Sequence, residues 1–184
     1  MNSRKKLTVI LGVFLIVLAV PVYLVVSNEM HISNEKSIYK FALRPVDPVD
    51  FMRGRYIVLR FNTSTEAAGE GNFYPEGKCY VAVDRDKDGW AYFHSVSSEI
   101  PKERDYFETK VRWVNDKFVQ FMVPFDKYYM NEDLAPLAES SYNEMTRDDN
   151  EFYATVNIHD GKAILMEVYY QDEPLKDYLR KQMK

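Results

Sequence analysis

The most suggestive pattern for chemistry is an acidic loop at residues 84–89 (DRDKDG), where three carboxylates alternate with basic residues before a glycine. This spacing is the first half of a calcium-binding loop, in which carboxylates and a glycine turn wrap the ion. The second half is missing, because the twelfth position is Ser95 and offers no bidentate carboxylate. Arg85 and Lys87 also offset the local negative charge. The sequence therefore predicts a hairpin turn here and no metal site.

Histidine and cysteine show no pattern of metal ligands or of a catalytic pair. His31, His94 and His159 lie far apart and lack the short ligand spacing of zinc sites. Cys79 is the only cysteine and lies in a strand-like stretch, where a buried thiol behaves as a small hydrophobic side chain. An intermolecular disulfide is the alternative, if the compartment is oxidising.

Ser27, Ser33 and Ser37 follow the N-terminal apolar segment, which is where bacterial signal peptidases carry a serine that pairs with a lysine. None of the three lies in the small, methionine-containing motif of those enzymes. The chain also has no Gly-x-Ser-x-Gly motif and no phosphate-binding glycine loop. We therefore predict no catalytic residue, no cofactor and no enzymatic activity, with a membrane-anchored hydrolase as a further alternative.

The length and composition of the chain predict a single folded domain. The chain has 184 residues, of which 46% are hydrophobic and 28% are charged, as in an ordinary globular protein. Its length suits one domain. The net charge of −4 gives no basic footprint, so we expect no nucleic-acid partner.

The N-terminal segment predicts a membrane anchor. Residues 7–26 carry no charge and, at about 1.5 Å per helical residue, could span a hydrocarbon core of about 30 Å. The basic cluster in residues 1–6 should remain in the cytoplasm, which sends the rest of the chain outward. A cleaved signal peptide is the alternative, because Val25 and Ser27 are suitable small residues before a cleavage site.

This orientation predicts a single-pass protein of the bacterial cytoplasmic (inner) membrane, with its C-terminal domain in the periplasm. Residues 27–37 are polar and predict a linker, and residues 38–184 form the outer domain. Beyond residue 27 the chain carries 21 basic and 28 acidic side chains. Because such a surface is not attracted to anionic headgroups, we expect lipid contact through residues 7–26 only.

The outer domain has a hydrophobic period of two, which predicts strands. Residues 37–43 (SIYKFAL) alternate, with Ile38, Lys40 and Ala42 opposite Tyr39, Phe41 and Leu43, and residues 56–61 form a β-branched and aromatic run. Three hairpins are predicted around turn sequences, pairing residues 78–83 with 90–96, 106–114 with 118–123, and 152–158 with 162–170. These eight or so strands predict an all-β, antiparallel sandwich or barrel-like domain.

Helices should be few. Asn131 could cap a helix from Glu132 to about Met145, and Leu175–Gln182 could form a short C-terminal helix. Residues 63–77 contain three glycines and a proline, and they predict a long loop.

Residues 47–61 (DPVDFMRGRYIVLRF) resemble the signature of the GDYXXLXY family, a bacterial family named for its Gly-Asp-Tyr-x-x-Leu-x-Tyr motif. The motif positions are Gly54, Tyr56 and Leu59, which match, and Arg55 and Phe61, which replace the aspartate and the final tyrosine. Residues 127–132 (KYYMNE) and the aromatic pair at 169–170 also resemble the family's pattern. The resemblance implies a membrane-anchored envelope protein associated with a multi-pass membrane protein, and it implies no particular biochemical activity.

The motif also has a plain physical interpretation. The Asp-Pro and Asp residues at 47–50 favour a turn, and Gly54 permits the backbone conformation needed where a strand begins. In the strand, Tyr56 and Arg60 share one face, whereas the opposite face is apolar and should point into the core. Arg60 could pair with a carboxylate on its own face, with Asp50 or Glu132 as the candidates.

The polar and tyrosine residues around this motif are the candidate interaction surface, since such side chains on a loop are suitable for binding. Its members are Asp47, Asp50, Arg53, Gly54, Arg55, Tyr56, Arg60, Tyr128 and Glu132. The resulting hypothesis is a non-enzymatic accessory or binding module for a multi-pass membrane partner. The alternative is a periplasmic small-ligand-binding domain with an aromatic-lined pocket between its sheets.

Overall fold

The computed structural model describes residues 11–23, 37–44, 56–115, 118–134, 137–138 and 152–183, and it comprises two compact units, Met1–Glu35 and Lys36–Lys184. In the first unit, residues 11–23 are helical. Across the described residues, no helix is both long and apolar enough to cross a membrane. Residues 1–10 and 24–36 contain the predicted cytoplasmic N-terminus, both ends of the predicted 7–26 span and most of the predicted linker, and they lie outside the described residues.

The second unit is built from strands, of which eleven fall within its described residues. In chain order they are β1 (Ile38–Ala42), β2 (Tyr56–Val58), β3 (Glu66–Glu70), β4 (Lys78–Arg85), β5 (Ala91–Ser97), β6 (Tyr106–Val114), β7 (Phe118–Phe121), β8 (Lys127–Tyr129), β9 (Phe152–His159), β10 (Lys162–Tyr170) and β11 (Glu173–Pro174). A 3-10 turn at Glu132–Leu134 and a C-terminal helix, Leu175–Gln182, accompany them.

These strands form three sheets. Five of them close a small barrel in the order β3-β5-β4-β6-β7, and a four-stranded sheet has the order β1-β9-β10-β11. The third sheet is a two-stranded ribbon of β2 and β8. Every pairing between named strands is antiparallel except that of β3 with β5, where Gly69 lies opposite Val96. The prediction of a β-rich, barrel-like domain with short helices is therefore confirmed, with one parallel pair that it did not include.

All three predicted hairpins are present, as β4–β5, β6–β7 and β9–β10. The β9–β10 turn shows why the sequence signal is strong. His159 pairs with Lys162, so the connection is the two residues Asp160 and Gly161, with φ of 48° and 78°. Positive φ at both positions is the turn geometry that Asp-Gly favours in a hairpin, because it matches the twist of the strands.

The prediction of a long loop over residues 63–77 was wrong in part, because β3 forms within it. The segment Glu66–Glu70 (EAAGE) has little intrinsic strand preference, but β3 pairs with β5 on one side and with β7 on the other. Closure of the barrel thus overrides local propensity. The very short strands β8 and β11 were not predicted either.

The two helix predictions had different outcomes. The C-terminal helix is confirmed as Leu175–Gln182, and its buried residues Leu175 and Leu179 are four apart and therefore share one face. The predicted helix from Glu132 to about Met145 is described only at its start. It begins as a 3-10 turn at Glu132–Leu134 and is helical at 137–138, whereas 135–136 and 139–151 lie outside the described residues.

The core of the second unit is filled with aromatic rings. The rings that fill its centre are those of Phe41, Phe61, Phe93, Phe107, Phe121 and Phe125, each buried, with centroids 5.1 to 6.4 Å from their neighbours. Edge-to-face contacts dominate, which is the arrangement that ring quadrupoles favour. The predicted alternation in β1 is confirmed, since Tyr39 and Phe41 are buried while Lys40 is exposed.

Candidate functional site

The predicted interaction surface is described only in part. Asp47, Asp50, Arg53, Gly54 and Arg55 lie outside the described residues. Tyr56, Arg60 and Tyr128 are described with their side chains. Glu132 is described as the first residue of the 3-10 turn, while its side chain lies outside the description. The predicted pairing of Arg60 with Asp50 or Glu132 therefore stays a prediction.

The motif strand has the predicted alternation. Ile57 and Leu59 are 0% and 3% exposed, whereas Tyr56 is half-buried and Arg60 is exposed. In the ribbon, Tyr56 lies opposite Tyr129 and Ile57 lies opposite Tyr128. Because successive side chains of a strand point to opposite faces, this register places only one of the two neighbouring tyrosines on the outer face.

Tyr128 is the tyrosine that points inward, and its side chain is part of the core. Its hydroxyl donates a hydrogen bond to a carboxylate oxygen of Glu167 in β10, and the Lys176 ammonium lies 4.6 Å from the ring centroid. Burial and the Glu167 hydrogen bond raise the pKa of the Tyr128 hydroxyl well above its usual range. Tyr128 therefore connects the ribbon to the four-stranded sheet, and it does not lie on the outer surface.

The outer face of the ribbon carries a small patch that we call the tyrosine patch, made of Tyr56, Lys127 and Tyr129. Tyr129 is 61% exposed, and its ring centroid lies 5.4 Å from that of Tyr56. The Lys127 ammonium lies 5.3 Å from the Tyr56 ring centroid, within reach of a cation–π interaction. The patch thus presents aromatic surface and positive charge together.

Beside the motif strand lies a cleft of about 250 Å³ that we call the arginine cleft. Its polar side chains are those of Arg44, Arg60, Arg112, Thr65 and Asp126. The three arginines come from different parts of the chain: one follows β1, one follows β2 and one lies in β6. Apolar residues of the cleft, including Leu59 and Phe121, are buried and continue into the aromatic core.

Backbone hydrogen bonds fix the segments that carry these side chains. The Arg44 N–H donates to the Arg60 carbonyl at 2.8 Å, and the Leu59 N–H donates to the Asp126 carbonyl at 2.7 Å. The Phe121 N–H donates to the carbonyl of Thr65 at 3.2 Å. The walls of the arginine cleft are therefore tied together directly.

Arg112 lies at an irregularity in β6. The register with β7 shifts between Val111 and Trp113, which leaves Arg112 as an extra residue without a partner position in that ladder. Arg112 and Trp113 are consecutive and both exposed, which a regular alternating strand with one buried face would not produce. Bulges of this kind bend a strand and re-aim its side chains.

Among the described residues that line the arginine cleft, Asp126 is the only acidic one. Burial is the main influence on this carboxyl and raises its pKa above the usual value, while the positive charges of Lys127 and Arg112 act in the opposite direction. The carboxylate therefore lies in a partly desolvated place near two cations.

The other chemical candidates from the sequence have structural roles. In the acidic loop, Asp86 Oδ1 accepts the N–H groups of Asp88 and Trp90 at 3.0 and 2.8 Å, and Asp84 Oδ2 accepts from Arg104 at 3.1 Å. The predicted hairpin turn is thus confirmed. Among the described residues, no group of three or more His, Cys, Asp or Glu side chains could hold a metal ion.

The structure also describes Cys79 and two of the three histidines. Cys79 is fully buried, and burial raises the pKa of its thiol to about 11, which confirms the buried structural thiol. His94 lies exposed in β5 with its ring 6.2 Å from that of Tyr92, and His159 Nε2 lies 3.3 Å from Asp160. His31 lies outside the described residues.

Sequence reasoning missed Arg44, Arg112 and Asp126 as site residues, and it considered Tyr129 as an interface residue without including it in the candidate surface. Arg44, Arg60 and Arg112 meet only through long-range strand pairing, so no local spacing indicates their convergence. Tyr129 adjoins the predicted member Tyr128, and the register of the ribbon decides which of the two tyrosines is exposed.

Comparison with known protein families supports the resemblance seen at residues 47–61. The family model of the GDYXXLXY protein matches residues 17–168, which is most of the chain and includes the segment that carries the resemblance. No curated protein and no solved structure gives a significant match. The chain belongs to the GDYXXLXY family.

Proposed function

We propose that this protein is a single-pass protein of the bacterial cytoplasmic membrane, anchored by residues 7–26 with residues 38–184 in the periplasm. In this proposal the outer domain is a non-enzymatic accessory module that binds a multi-pass membrane protein. The tyrosine patch is its contact surface, and the anchor supplies the contact with inner-membrane lipid.

Two features of the N-terminal segment support the anchor. Residues 7–26 contain no charged side chain and follow a basic cluster. In the helical residues 11–23, large apolar side chains such as those of Leu11, Phe14 and Leu18 are 53% to 59% exposed. A helix that exposes apolar side chains on all sides requires an apolar environment to cover them.

The short linker limits which partners the outer domain could reach. At about 3.6 Å per extended residue, residues 27–37 reach at most about 40 Å from the end of the anchor. The part of a membrane-embedded protein that projects into the periplasm lies within this height above the same membrane. Tethering also raises the effective concentration of one such partner, so a modest patch could suffice for binding.

The single observation that carries the binding role is the exposed tyrosine pair on the ribbon. Tyr129 is 61% exposed and lies against Tyr56, with Lys127 beside it. Tyrosine is enriched at protein interfaces because it supplies a large rigid contact area and a polar hydroxyl. Among the described residues, Ile57 and Tyr128 supply the buried face of the ribbon, and Tyr129 lies on the opposite face.

The test is crosslinking in native membranes followed by affinity capture, with the full-length protein and residues 36–184 compared side by side. Recovery of a multi-pass membrane protein with both forms would support recognition by the outer domain. Recovery with the full-length form alone would place the contact in the anchor and refute the role of the patch. Recovery with neither would refute the accessory role.

A matched pair of variants then tests the patch itself. Tyr129→Ala should reduce capture severalfold while changing the melting temperature little, because an exposed cross-strand aromatic pair is worth only about 0.2–1 kcal/mol. Tyr74→Ala is the control, since Tyr74 is 67% exposed and lies between β3 and β4, away from the ribbon in sequence. Equal loss of capture in the two variants would contradict a specific tyrosine patch.

The alternative of a small-ligand-binding domain is supported by the arginine cleft. It is not supported by the aromatic pocket that the sequence predicted between the sheets. The aromatic interior between the sheets is filled by packed phenylalanine rings, so it does not supply the expected aromatic-lined pocket. The arginine cleft is instead polar and opens at the surface.

A further inference from the structure

The outer face of β5 carries a row of ring side chains, Trp90, Tyr92 and His94, which we call the aromatic row. Its members alternate with Ala91 and Phe93, which are buried, so the three rings lie on the same outer face. Tyr92 and His94 are exposed and Trp90 is half-buried. Neighbouring members are two residues apart and therefore lie about 7 Å from each other along the strand. The row thus presents a line of flat surfaces on the outside of the barrel.

One end of the aromatic row lies in a cleft of about 330 Å³ that we call the tryptophan cleft. Trp90 and Tyr92 supply the rings of its lining. Its polar side chains come from the loop after β2 and from the β4–β5 turn, and they are those of Asn62, Thr63, Asp86 and Asp88. The cleft therefore combines two aromatic rings with an amide, a hydroxyl and two carboxylates.

Trp90 is held in position by the turn and by neighbouring rings. Its backbone N–H donates to Asp86 Oδ1 at 2.8 Å, and its carbonyl accepts the Asp86 N–H at 2.8 Å. The Trp90 ring lies edge-to-face against Tyr153 with centroids 5.7 Å apart, and the Tyr153 hydroxyl donates to Asp172 at 2.7 Å. Preorganised groups bind more tightly than mobile ones, because less conformational freedom is lost on binding.

The chemistry of the tryptophan cleft indicates a saccharide. A sugar ring has C–H groups on its faces, which pack against the negative face of an aromatic ring, and hydroxyl groups around its rim, which need donors and acceptors. An anionic ligand would be repelled, because the charged side chains among the described lining residues are those of Asp86 and Asp88. An entirely apolar ligand would leave the polar groups of the lining without hydrogen bonds.

The other end of the aromatic row leads to a second cleft, which extends the site beyond a single sugar ring. This cleft measures about 390 Å³, and His94, Ser95 and Ser97 of β5 contribute to its lining. Tyr92 lines the first cleft and His94 the second, and their ring centroids lie 6.2 Å apart. A chain of sugar rings that begins in the tryptophan cleft and passes over Tyr92 therefore reaches His94 and the serine hydroxyls.

We propose that the outer face of β5 is a binding site for an uncharged oligosaccharide. The tryptophan cleft holds one sugar ring, and the following rings lie over Tyr92 and His94. Trp90 and Tyr92 supply the packing surface, while Asn62 and Asp88 hydrogen-bond the hydroxyl groups. The residues of this site are separate from those of the tyrosine patch, so the inference does not depend on the accessory role.

Tryptophan fluorescence gives a direct test, because the chain has two tryptophans, Trp90 and Trp113. In full-length Trp113→Phe protein the signal comes from Trp90 alone. Trp90→Phe protein is the matched control, since it keeps Trp113, which lies in β6 and is 49% exposed. The detergent has a polyoxyethylene headgroup, because a sugar headgroup would compete for the site. The probes are chitotetraose and maltotetraose.

We expect at least one tetrasaccharide to protect Trp90 from quenching by acrylamide and to leave the quenching of Trp113 unchanged. Protection by neither probe, or equal protection of both tryptophans, would overturn the site.

Calorimetric titration of further variants tests the aromatic row. Tyr92→Ala should weaken tetrasaccharide binding about tenfold, because it removes one ring face, whereas Tyr92→Phe keeps the ring and should bind almost as the wild type does. Tyr74→Ala is the control, since Tyr74 is 67% exposed and lines neither cleft. Equal weakening in Tyr92→Ala and Tyr74→Ala would overturn the proposal. Melting curves without ligand ensure that each variant is folded.

The length of the ligand is tested with His94→Ala and with the matching monosaccharides, N-acetylglucosamine and glucose. His94 does not line the tryptophan cleft, so His94→Ala should weaken binding of the tetrasaccharide and leave binding of the monosaccharide unchanged. Equal affinity of the wild type for the tetrasaccharide and its monosaccharide would overturn the extension along β5.

A cationic ligand is the competing possibility, because ammonium groups bind both carboxylates and aromatic faces. Choline and spermidine are therefore titrated beside the saccharides. Binding of either one in place of the saccharides, with loss of binding in Asp88→Asn, would overturn the proposal in favour of a cation site. Capture of the membrane partner through Tyr129 tests the proposed function separately and would stand unaffected by failure of the saccharide site.

Discussion

Replacing Tyr128 by phenylalanine tests whether this residue of the family-like segment is a structural connection. The Tyr128 hydroxyl donates to Glu167, whose Oε1 also accepts the Val168 N–H at 2.9 Å. The ring is 4% exposed and would keep its packing in the variant, including the contact with the Lys176 ammonium. Tyr128→Phe therefore removes one hydrogen bond between β8 and β10 and little else.

The expected cost follows from the charge and burial of the pair. A hydrogen bond to an ionised group contributes about 1.5–3 kcal/mol. Among the described residues, the half-buried Glu167 would retain only the hydrogen bond from the Val168 N–H. We therefore expect the free energy of unfolding to fall by about 2 kcal/mol. For a domain of this size, that corresponds to a melting temperature lower by about 4–8 °C.

The assay is urea and thermal unfolding of the full-length protein in detergent, with Tyr129→Phe as the matched control. Tyr129 is exposed, so loss of its hydroxyl should change stability by less than about 0.5 kcal/mol. A double-mutant cycle with Glu167→Gln should show coupling with Tyr128→Phe, because the two side chains share one bond. Equal stability of the two tyrosine variants, or full additivity in the cycle, would refute the structural role.

Two further predictions concern a turn and a carboxyl group. Gly161→Ala should be more destabilising than Gly89→Ala by urea unfolding, because both have positive φ but only at Gly161 would the new Cβ lie 3.2 Å from Tyr106. Equal losses would show that the Tyr106 contact is irrelevant. For Asp126, a raised folded-state pKa means that the native state binds more protons, so its contribution to stability falls as pH rises above the unfolded value of 3.8. Asp126→Asn should therefore gain stability relative to the wild type as pH rises from 4 to 7, and a constant difference would contradict the assignment.

The sequence predicted the elements whose signals are local. The Asp160-Gly161 turn, the alternation of β1 and the C-terminal helix each depend on a few neighbouring residues, and each is present as expected. β3 was missed because its strand conformation depends on partners in β5 and β7 rather than on its own residues.

The candidate site was less accessible to sequence reasoning. Tyr128 and Tyr129 are adjacent and chemically identical, and only the register with β2 determines which of them is buried. The arginine cleft depends on pairings between distant segments, which have no sequence signature. The predicted residues at 47–55 lie outside the described residues, so their role stays a prediction.

The pairing of β1 with β9 has a consequence for the timing of biosynthesis. β1 is the first strand of the domain, but its partner β9 does not begin until Phe152, about 110 residues later. At about 5–20 residues per second, a ribosome needs roughly 5–20 s to make the intervening chain. Throughout that interval the hydrogen-bonding groups of β1 lack their native partner and could pair with another chain. A holding factor that shields residues 38–42 during this interval would therefore raise the yield of folded protein without contacting the finished domain.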